Sequence, residues 1–247
     1  MTLETPVQSI ILIGKAGSGK SSIANMLSEG DITPQSMCEV GDDAQRVTSN
    51  ITTVKGRKWT VCDTVGLGDL EGEGKKAVDP ALDLLREALI RGKRGFHHIA
   101  YVVPLGKLTT TEHKNLYALF KATFAGAEEN FVLLITHCPD RRWVDDNMEV
   151  IKQIFGDIPV AWCSFPFYAF RNSRRQEEDR EERMKSLTGL EEQLWKLNRM
   201  ATVPKLSDKE TADDTTKENF EKALRFFLMV GEFITKAVLV ILEVVLH

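Results

Sequence analysis

The strongest constraint on the fold is a glycine-rich octapeptide near the start of the chain, Gly14 to Ser21. It follows the pattern G-x-x-x-x-G-K-S, with an apolar run at residues 7–13 before it and a helical pattern at residues 22–28 after it. This order of strand, glycine loop and helix is typical of a loop that binds phosphate groups. Glycines let backbone N–H groups face the phosphate oxygens, and the helix N-terminus favours an anion.

Two side chains of this loop have specific predicted roles. Lys20 is expected to reach the β- and γ-phosphates of a nucleotide, and Ser21 is expected to bind Mg²⁺. The alternative is a glycine-rich turn without a ligand. The predicted nucleotide-binding positions are Gly14, Lys15, Ala16, Gly17, Ser18, Gly19, Lys20, Ser21 and Ser22.

A second motif, Asp63-Thr64-Val65-Gly66, follows the apolar run at residues 58–62. A carboxylate at the carboxyl end of a strand can hold Mg²⁺ through water, and the N–H of Gly66 can contact a γ-phosphate. Downstream of a phosphate loop, the motif therefore predicts Asp63 as a metal ligand and Gly66 as part of the catalytic site. A simple aspartate–glycine turn is the alternative.

A third motif, residues 136–140, follows the apolar run at residues 131–136. In guanine-specific proteins with a phosphate loop, a carboxylate at this place accepts hydrogen bonds from N1–H and the 2-amino group of the base. Asp140 is predicted to read guanine in this way, and His137 to pack on the base. Asp140 can instead cap the helix that follows it.

The order of the predicted elements indicates an α/β fold. Strand-like runs alternate with helical patterns, which is typical of a mostly parallel sheet with helices on both faces. Gly56-Arg57 predicts a hairpin between two of the strands. We expect a nucleotide-binding domain at residues 1–204, and a linker with a C-terminal helix at 205–247. Six strands are predicted, at residues 7–13, 51–55, 58–62, 98–103, 131–136 and 160–164, and helices at 22–28, 77–91, from Thr109, 144–155 and from Thr188.

Composition excludes some classes of partner. The chain has 247 residues, a net charge of −4 and a pI near 5.8, whereas a nucleic-acid-binding surface would be basic. We therefore expect no nucleic-acid partner. The four cysteines lack metal-ligand spacing and the N-terminus lacks a signal-peptide pattern, so we expect free thiols in a cytoplasmic protein.

A mixed charge run at 171–185 predicts a solvated helix face or loop.

These motifs, together with residues 95–109, resemble the immunity-associated (AIG-type, GIMAP/IAN) GTPases, relatives of septins and chloroplast import receptors. Residues 95–109 are similar to the family's own box, an apolar strand ending in L-G-[R/K]-x-T. The resemblance implies a P-loop G domain that binds GTP or GDP with Mg²⁺. It also implies a switch threonine, best matched by Thr48 as a metal ligand, with Thr52 or Thr53 as alternatives.

The chain departs from the family pattern at three positions. Val65 replaces a proline, Cys138 replaces a lysine of the base motif, and Lys107 replaces an arginine that many members carry. The resemblance implies dimerisation across the nucleotide face, with Lys107 acting across the interface. We therefore count Lys20, Thr48, Gly66 and Lys107 as the candidate catalytic residues.

Three functions compete at this stage. Leu67 follows the second motif where some GTPases have a water-orienting glutamine, so unassisted hydrolysis should be slow. The first function is a slow GTPase that forms a homodimer or oligomer in the GTP state. The second is a GTP-loaded scaffold on membranes with negligible turnover, and the third is a small-molecule kinase.

The tail at residues 220–246 predicts a mostly apolar helix with a narrow polar stripe. Its central charges are Glu232, Lys236 and Glu243, which fall on one side at 100° per residue. We expect this helix to pack against protein, either the globular domain or a second protomer. Contact with a membrane surface, which would make the protein peripheral, is one alternative, and a membrane span is the other.

Overall fold

The fold is described from a computed structural model of the chain. It describes residues 6–15, 17–33, 36, 38, 52–64, 95–106, 108, 113–114, 117–118, 120–121, 124, 126–166 and 173–203. The helices predicted at 77–91 and 220–246 lie outside the described residues, and so does the predicted capping box at Thr109. The predicted linker and helical extension at 205–247 lie outside them as well.

The described residues form a single mixed sheet. Its strands are β1 (Gln8–Gly14), β2 (Thr52–Lys55), β3 (Trp59–Asp63), β4 (His98–Pro104), β5 (Phe131–Thr136) and β6 (Val160–Trp162). The strand order is β2-β3-β1-β4-β5-β6; β2 pairs antiparallel with β3, and the other neighbouring strands are parallel. The predicted α/β fold with a mostly parallel six-stranded sheet is confirmed.

β1 is apolar from Ile10 to Ile13 because both faces of the sheet are covered there. Successive side chains of a strand point to opposite faces. Ile11 and Ile13 therefore pack in one hydrophobic cluster, whereas Ile10 and Leu12 pack in the other. All four side chains are at most 1% exposed. This double burial explains why β1 reads as a continuous apolar run rather than an alternating pattern.

Helices cover both faces of the sheet. The described helices are α1 (Lys20–Glu29), α2 (Arg142–Asp146), α3 (Met148–Phe155) and α4 (Ser173–Lys196). Side chains of α1 and α4 join the cluster that contains Leu12, and those of α2 and α3 join the cluster that contains Ile11. The predicted stop of α1 at Gly30 is confirmed, since Gly30 has φ +81° and its N–H donates to the Met26 carbonyl.

Two predicted helix boundaries were wrong. The helix predicted over 144–155 is two helices that meet at Asn147, whose side-chain amide donates to the Trp143 carbonyl at 2.8 Å. The helix start predicted at Thr188 falls inside α4. The Thr188 hydroxyl donates to the Met184 carbonyl, one turn earlier in the same helix, at 3.1 Å. A threonine that bonds back in this way sits in a helix interior and does not cap a new helix.

α4 also covers the edge of the sheet at β6. The Gln193 side chain donates to the Trp162 carbonyl at 3.2 Å and accepts the Trp162 N–H at 3.1 Å. Ser186 Oγ accepts the N–H of Ser164 at 2.8 Å. An open strand edge can pair with another chain. Here a side-chain amide takes the place of a neighbouring strand.

The charge run at 171–185 contributes the first half of α4. From residue 174 onwards its side chains are exposed, as predicted, apart from Asp179 and Arg183. Arg183 donates to Asp31 at 2.7 Å and to the Pro166 carbonyl at 2.8 Å. Asp31 directly follows the C-terminal glycine of α1, so this ion pair ties α4 to the end of α1.

None of the helices in the described residues is long and apolar enough to cross a membrane.

His98 gives the fold a specific pH dependence. Its ring is fully buried, Nε2 lies 2.9 Å from Gln8 Oε1, and burial, together with Arg199 and His97, lowers its pKa to about 3. As the pH falls below 6.5, His98 becomes protonated in the unfolded chain but stays neutral in the folded protein. This contribution to stability is complete above pH 6.5 and is lost as the pH falls towards 3.

We predict that the free energy of unfolding falls by about 1.4 kcal/mol per pH unit below pH 6.5 because of this one residue. Urea unfolding of the wild type and of His98→Gln between pH 7.5 and 5 measures the slope. The variant should show a correspondingly flatter profile. Identical slopes in the two proteins would show that His98 is not the titrating group.

Candidate functional site

The glycine loop lies at the carboxyl end of β1 and leads directly into α1. Gly19 has φ +87°, and a Cβ there would lie 3.3 Å from Thr136 Cγ2. A Cβ on Gly14 would collide with the carbonyl oxygen of Val102 on β4. Both positions therefore require glycine, one for its left-handed backbone and one for close approach of a neighbouring strand.

Lys20 is held inside the loop. Its side chain is 5% exposed, and Nζ donates to the Lys15 carbonyl at 2.8 Å. The backbone N–H of Ser18 donates to the same carbonyl at 3.2 Å. A cationic group and a backbone N–H thus converge within the loop. This is the donor arrangement that a phosphate oxygen requires.

Asp63 is brought to the loop by the pairing of β3 with β1. The strand register places Asp63 beside Leu12, and its Oδ2 accepts a hydrogen bond from Ser21 Oγ at 2.7 Å. Asp63 is fully buried. Burial raises its pKa, and the Ser21 hydrogen bond and the positive charge of Lys20 oppose that rise. Asp63, Ser21 and Lys20 therefore form one electrostatic unit.

This unit fits a magnesium ion. Asp63 Oδ1 is buried and has no well-formed hydrogen bond within the described residues, although the Cys38 thiol and the Thr64 N–H lie near enough to lower the Asp63 pKa. A hydroxyl and a carboxylate are hard oxygen donors, and Mg²⁺ is commonly held by one or two protein groups together with phosphates and water.

Thr136, at the end of β5, is hydrogen-bonded to the glycine loop between β1 and α1. Its Oγ1 donates to the Ser18 carbonyl at 2.8 Å. The sequence includes Thr136 in the third motif, but this role depends on a contact across the fold that no local pattern reveals. A small cavity of about 20 Å³ lies at this junction. It is lined by Gly19, Ser22, Thr136, His137, Cys163 and Phe165.

Asp140 has a partner that the sequence analysis did not anticipate. Its Oδ1 accepts the backbone N–H of Arg142 at 2.9 Å, and its Oδ2 accepts Nη2 at 2.7 Å and Nε at 3.2 Å from the same arginine. These hydrogen bonds lower the pKa of Asp140. Asp140 thus accepts the N–H of the first residue of α2, as the helix-capping alternative requires, although the N-cap position itself is Arg141, whose side chain makes no capping bond. The Asp140 side chain is nevertheless 45% exposed, so capping does not exclude a base-binding role.

His137 and Cys138 differ in their accessibility. His137 is exposed and has φ +55°, which turns the chain sharply after β5. Cys138 is 1% exposed, and its thiol donates to the Asp140 carbonyl at 3.1 Å. The residue that replaces the lysine of the base motif is therefore packed inwards. His137 remains the accessible side chain beside the cavity.

The structure brings together most of the predicted site residues that it describes. Gly14, Lys15 and residues 17–22 meet Asp63 at the carboxyl ends of β1 and β3, whereas His137 and Asp140 follow β5. Ala16, Thr48, Gly66 and Lys107 lie outside the described residues. The alternative switch positions Thr52 and Thr53 are in β2, where Thr52 pairs with Asp63. Phe165 and Cys163 beside the cavity were missed, because their sequence signal is only that of a strand end.

Comparison with known proteins places these motifs in a family. The sequence model of the AIG1 family matches residues 8–223. The chain is also 25% identical, over 129 residues, to immune-associated nucleotide-binding protein 3 from Arabidopsis thaliana. That match covers 52% of this chain and 37% of the relative. The chain therefore spans well under half the length of this curated relative.

We predict that Thr136→Val loosens the phosphate loop. The substitution keeps the shape of the side chain but leaves the Ser18 carbonyl without its donor, at a cost of about 1–3 kcal/mol in the free energy of unfolding. Urea unfolding measures this loss. Thr136→Ser retains the hydroxyl and is the matched control, so equal losses in the two variants would contradict the assigned hydrogen bond.

Proposed function

The chain belongs to the AIG1 family, and from this membership and the loop geometry we propose that it binds GTP and GDP together with Mg²⁺. The observation that carries the proposal is the unit formed by Lys20, Ser21 and Asp63. A buried lysine, a hydroxyl and a buried carboxylate lie at the carboxyl ends of two adjacent parallel strands. Ligands of open α/β sheets bind at this edge.

The phosphate half of the proposed site is built from β1, α1 and the loop between them. The α1 N-terminus favours negative charge, and Lys20 supplies a cation at the same place. Exchange of the Lys15 carbonyl for a phosphate oxygen would leave the Lys20 ammonium paired. The loop needs little rearrangement for this exchange, because its two constrained glycines and Thr136 already hold its path.

The metal half of the proposed site consists of Ser21 and Asp63, with Thr48 as a further ligand by resemblance. When bound, Mg²⁺ would neutralise charge on the β- and γ-phosphates. Ser21 Oγ would offer a direct oxygen ligand, and Asp63 would hold coordinated water. The burial that raises the pKa of Asp63 also makes an unpaired carboxylate costly, which favours occupation of this site by a cation.

The base half of the proposed site depends on Asp140, with His137 beside it. An ionised carboxylate accepts two N–H groups from the Watson–Crick edge of guanine. Adenine has only one N–H donor group at that edge, and the ring nitrogen beside it is an acceptor that cannot bond to a carboxylate. Asp140 is ionised at neutral pH as an ordinary aspartate is, and the hydrogen bonds from Arg142 lower its pKa further. The proposed preference for guanine over adenine also argues against a small-molecule kinase, for which adenine nucleotides are the usual phosphate donors.

Hydrolysis is proposed to be slow and to be assisted by a second protomer. The support comes from the sequence: Leu67 offers no hydrogen bond to a water molecule, and Lys107 is the basic residue of the family-like box. Gly66 and Thr48 would contact the γ-phosphate and the metal. Lys107 would then neutralise charge from across a homodimer, less effectively than a bidentate arginine.

Nucleotide titrations test the binding proposal. We predict that the protein prefers GDP to ADP by on the order of 100-fold, because guanine donates one more charge-assisted hydrogen bond to Asp140 than adenine does. Asp140→Asn should shift the preference towards xanthosine diphosphate, and Lys20→Met should weaken GDP binding by about 10-fold to 150-fold. Fluorescent nucleotides in the presence of Mg²⁺ provide the affinities.

Thermal unfolding of each variant in the same buffer controls for loss of the fold. Equal affinity for GDP and ADP in the wild type would overturn the base assignment. An unchanged GDP affinity in folded Lys20→Met would overturn the phosphate-loop assignment.

We further predict that GTP hydrolysis per molecule rises with protein concentration. Single-turnover rates measured from dilute to concentrated protein test this expectation, because a residue supplied by a partner acts only in the dimer. Lys107→Ala should remove the rise and leave the dilute rate unchanged. A flat rate in the wild type would rule out assistance by dimerisation, and no turnover at any concentration would favour a GTP-loaded scaffold.

A further inference from the structure

We propose that Arg142 weakens base selection, because its side chain competes with guanine for the carboxylate of Asp140. The proposal deepens the proposed function and rests on it. Sequence motifs assign Asp140 alone to the base. The competitor is visible only from the hydrogen bonds that Asp140 makes.

The contacts of Asp140 define the competition. Its Oδ1 accepts the main-chain N–H of Arg142, and its Oδ2 accepts both Nε and Nη2 of the guanidinium. A carboxylate has about four lone-pair positions. Three of them are therefore engaged by one residue. Guanine presents two N–H groups to a carboxylate, so it cannot form both hydrogen bonds while the guanidinium stays in place.

The guanidinium and the guanine edge are chemically alike. Each is planar and presents neighbouring N–H donors at a spacing that suits a carboxylate. The Arg142 side chain directs two such donors at Oδ2 of Asp140, and so occupies one of the two oxygens that a guanine base would need. A nucleotide with adenine does not offer this pair of donors and gains nothing from displacing the arginine.

The arginine is placed so that displacement is possible. Its side chain is 88% exposed, so the guanidinium can return to water without breaking any packing. The hydrogen bonds and charge of Asp140 raise the pKa of Arg142, and the negative charge of Asp146, one turn further along α2, adds to that rise and offers an alternative ionic partner. The main-chain hydrogen bond to Oδ1 does not involve the side chain and can remain when guanine binds.

The neighbouring arginine provides a matched control. Arg141 is also exposed and carries the same charge, but its Nε donates to Asp145 at 2.9 Å and not to Asp140. Arg141→Ala therefore removes one positive charge near the proposed base site and leaves the Asp140 carboxylate occupied. Any general loss of attraction for the phosphates should appear equally in Arg141→Ala and Arg142→Ala.

The test compares GDP and ADP affinities of the full chain in the wild type, Arg142→Ala, Arg142→Lys and Arg141→Ala at low ionic strength. Exposed ion pairs of this kind correspond to about 1.4-fold to 5-fold in an equilibrium constant. We expect Arg142→Ala to bind GDP more tightly than Arg141→Ala by that factor, with equal ADP affinities. Arg142→Lys should lie between the wild type and Arg142→Ala, because lysine cannot donate from a planar fork.

The outcomes separate this proposal from the one on which it rests. A wild type that prefers GDP to ADP, together with no gain in Arg142→Ala, would overturn the competition and leave the base assignment intact. Weaker GDP binding in Arg142→Ala than in Arg141→Ala would show that Arg142 positions Asp140 for the base, and would likewise overturn competition. Equal affinity of the wild type for GDP and ADP would overturn both proposals.

Discussion

The parallel pairing of β1 with β3 and β4 is the constraint on which the rest of the site depends. It sets the register that places Asp63 beside Leu12, and hence within hydrogen-bonding distance of Ser21. It also brings the Val102 carbonyl so close to Gly14 that no side chain fits there. Because carboxyl ends of parallel strands meet at one edge, the loop after β1 and the motifs after β3 and β5 all open onto the same surface.

The polar groups at this edge are costly for the fold. Lys20 is 5% exposed and Asp63 is fully buried, and two such charges inside a protein offset each other only in part. Burial accordingly raises the pKa of Asp63. A core built for stability alone would have apolar residues here. The buried apolar side chains on both faces of β1 offset this cost.

α4 completes the fold from outside the sheet. Arg183 ties it to Asp31 after α1, and Gln193 replaces a strand at the edge of β6. Glu191 adds a third attachment, accepting hydrogen bonds from Lys58 at 2.7 Å and from the Trp59 indole at 3.1 Å. One amphipathic helix thus contacts α1, β3 and β6. It supports the strand that ends in Asp63 and the segment that contains Cys163 and Phe165.

The amino-acid sequence by itself determined the α/β class, the glycine loop between β1 and α1, the hairpin of β2 and β3, and the candidate roles of Lys20, Ser21 and Asp63. These features depend on local periodicity and on residue types at short spacing, which the chain displays directly. Only the tertiary structure decided that α4 runs unbroken through Thr188, that Thr136 bonds to Ser18, and that Arg142 occupies Asp140. The Thr188 and Asp140 hydrogen bonds each involve one of several nearby partners that the local sequence offers. The bond from Thr136 to Ser18 joins residues more than a hundred positions apart. In all three the choice is set by the surrounding packing, because a hydroxyl or carboxylate has several acceptable partners and local sequence does not rank them.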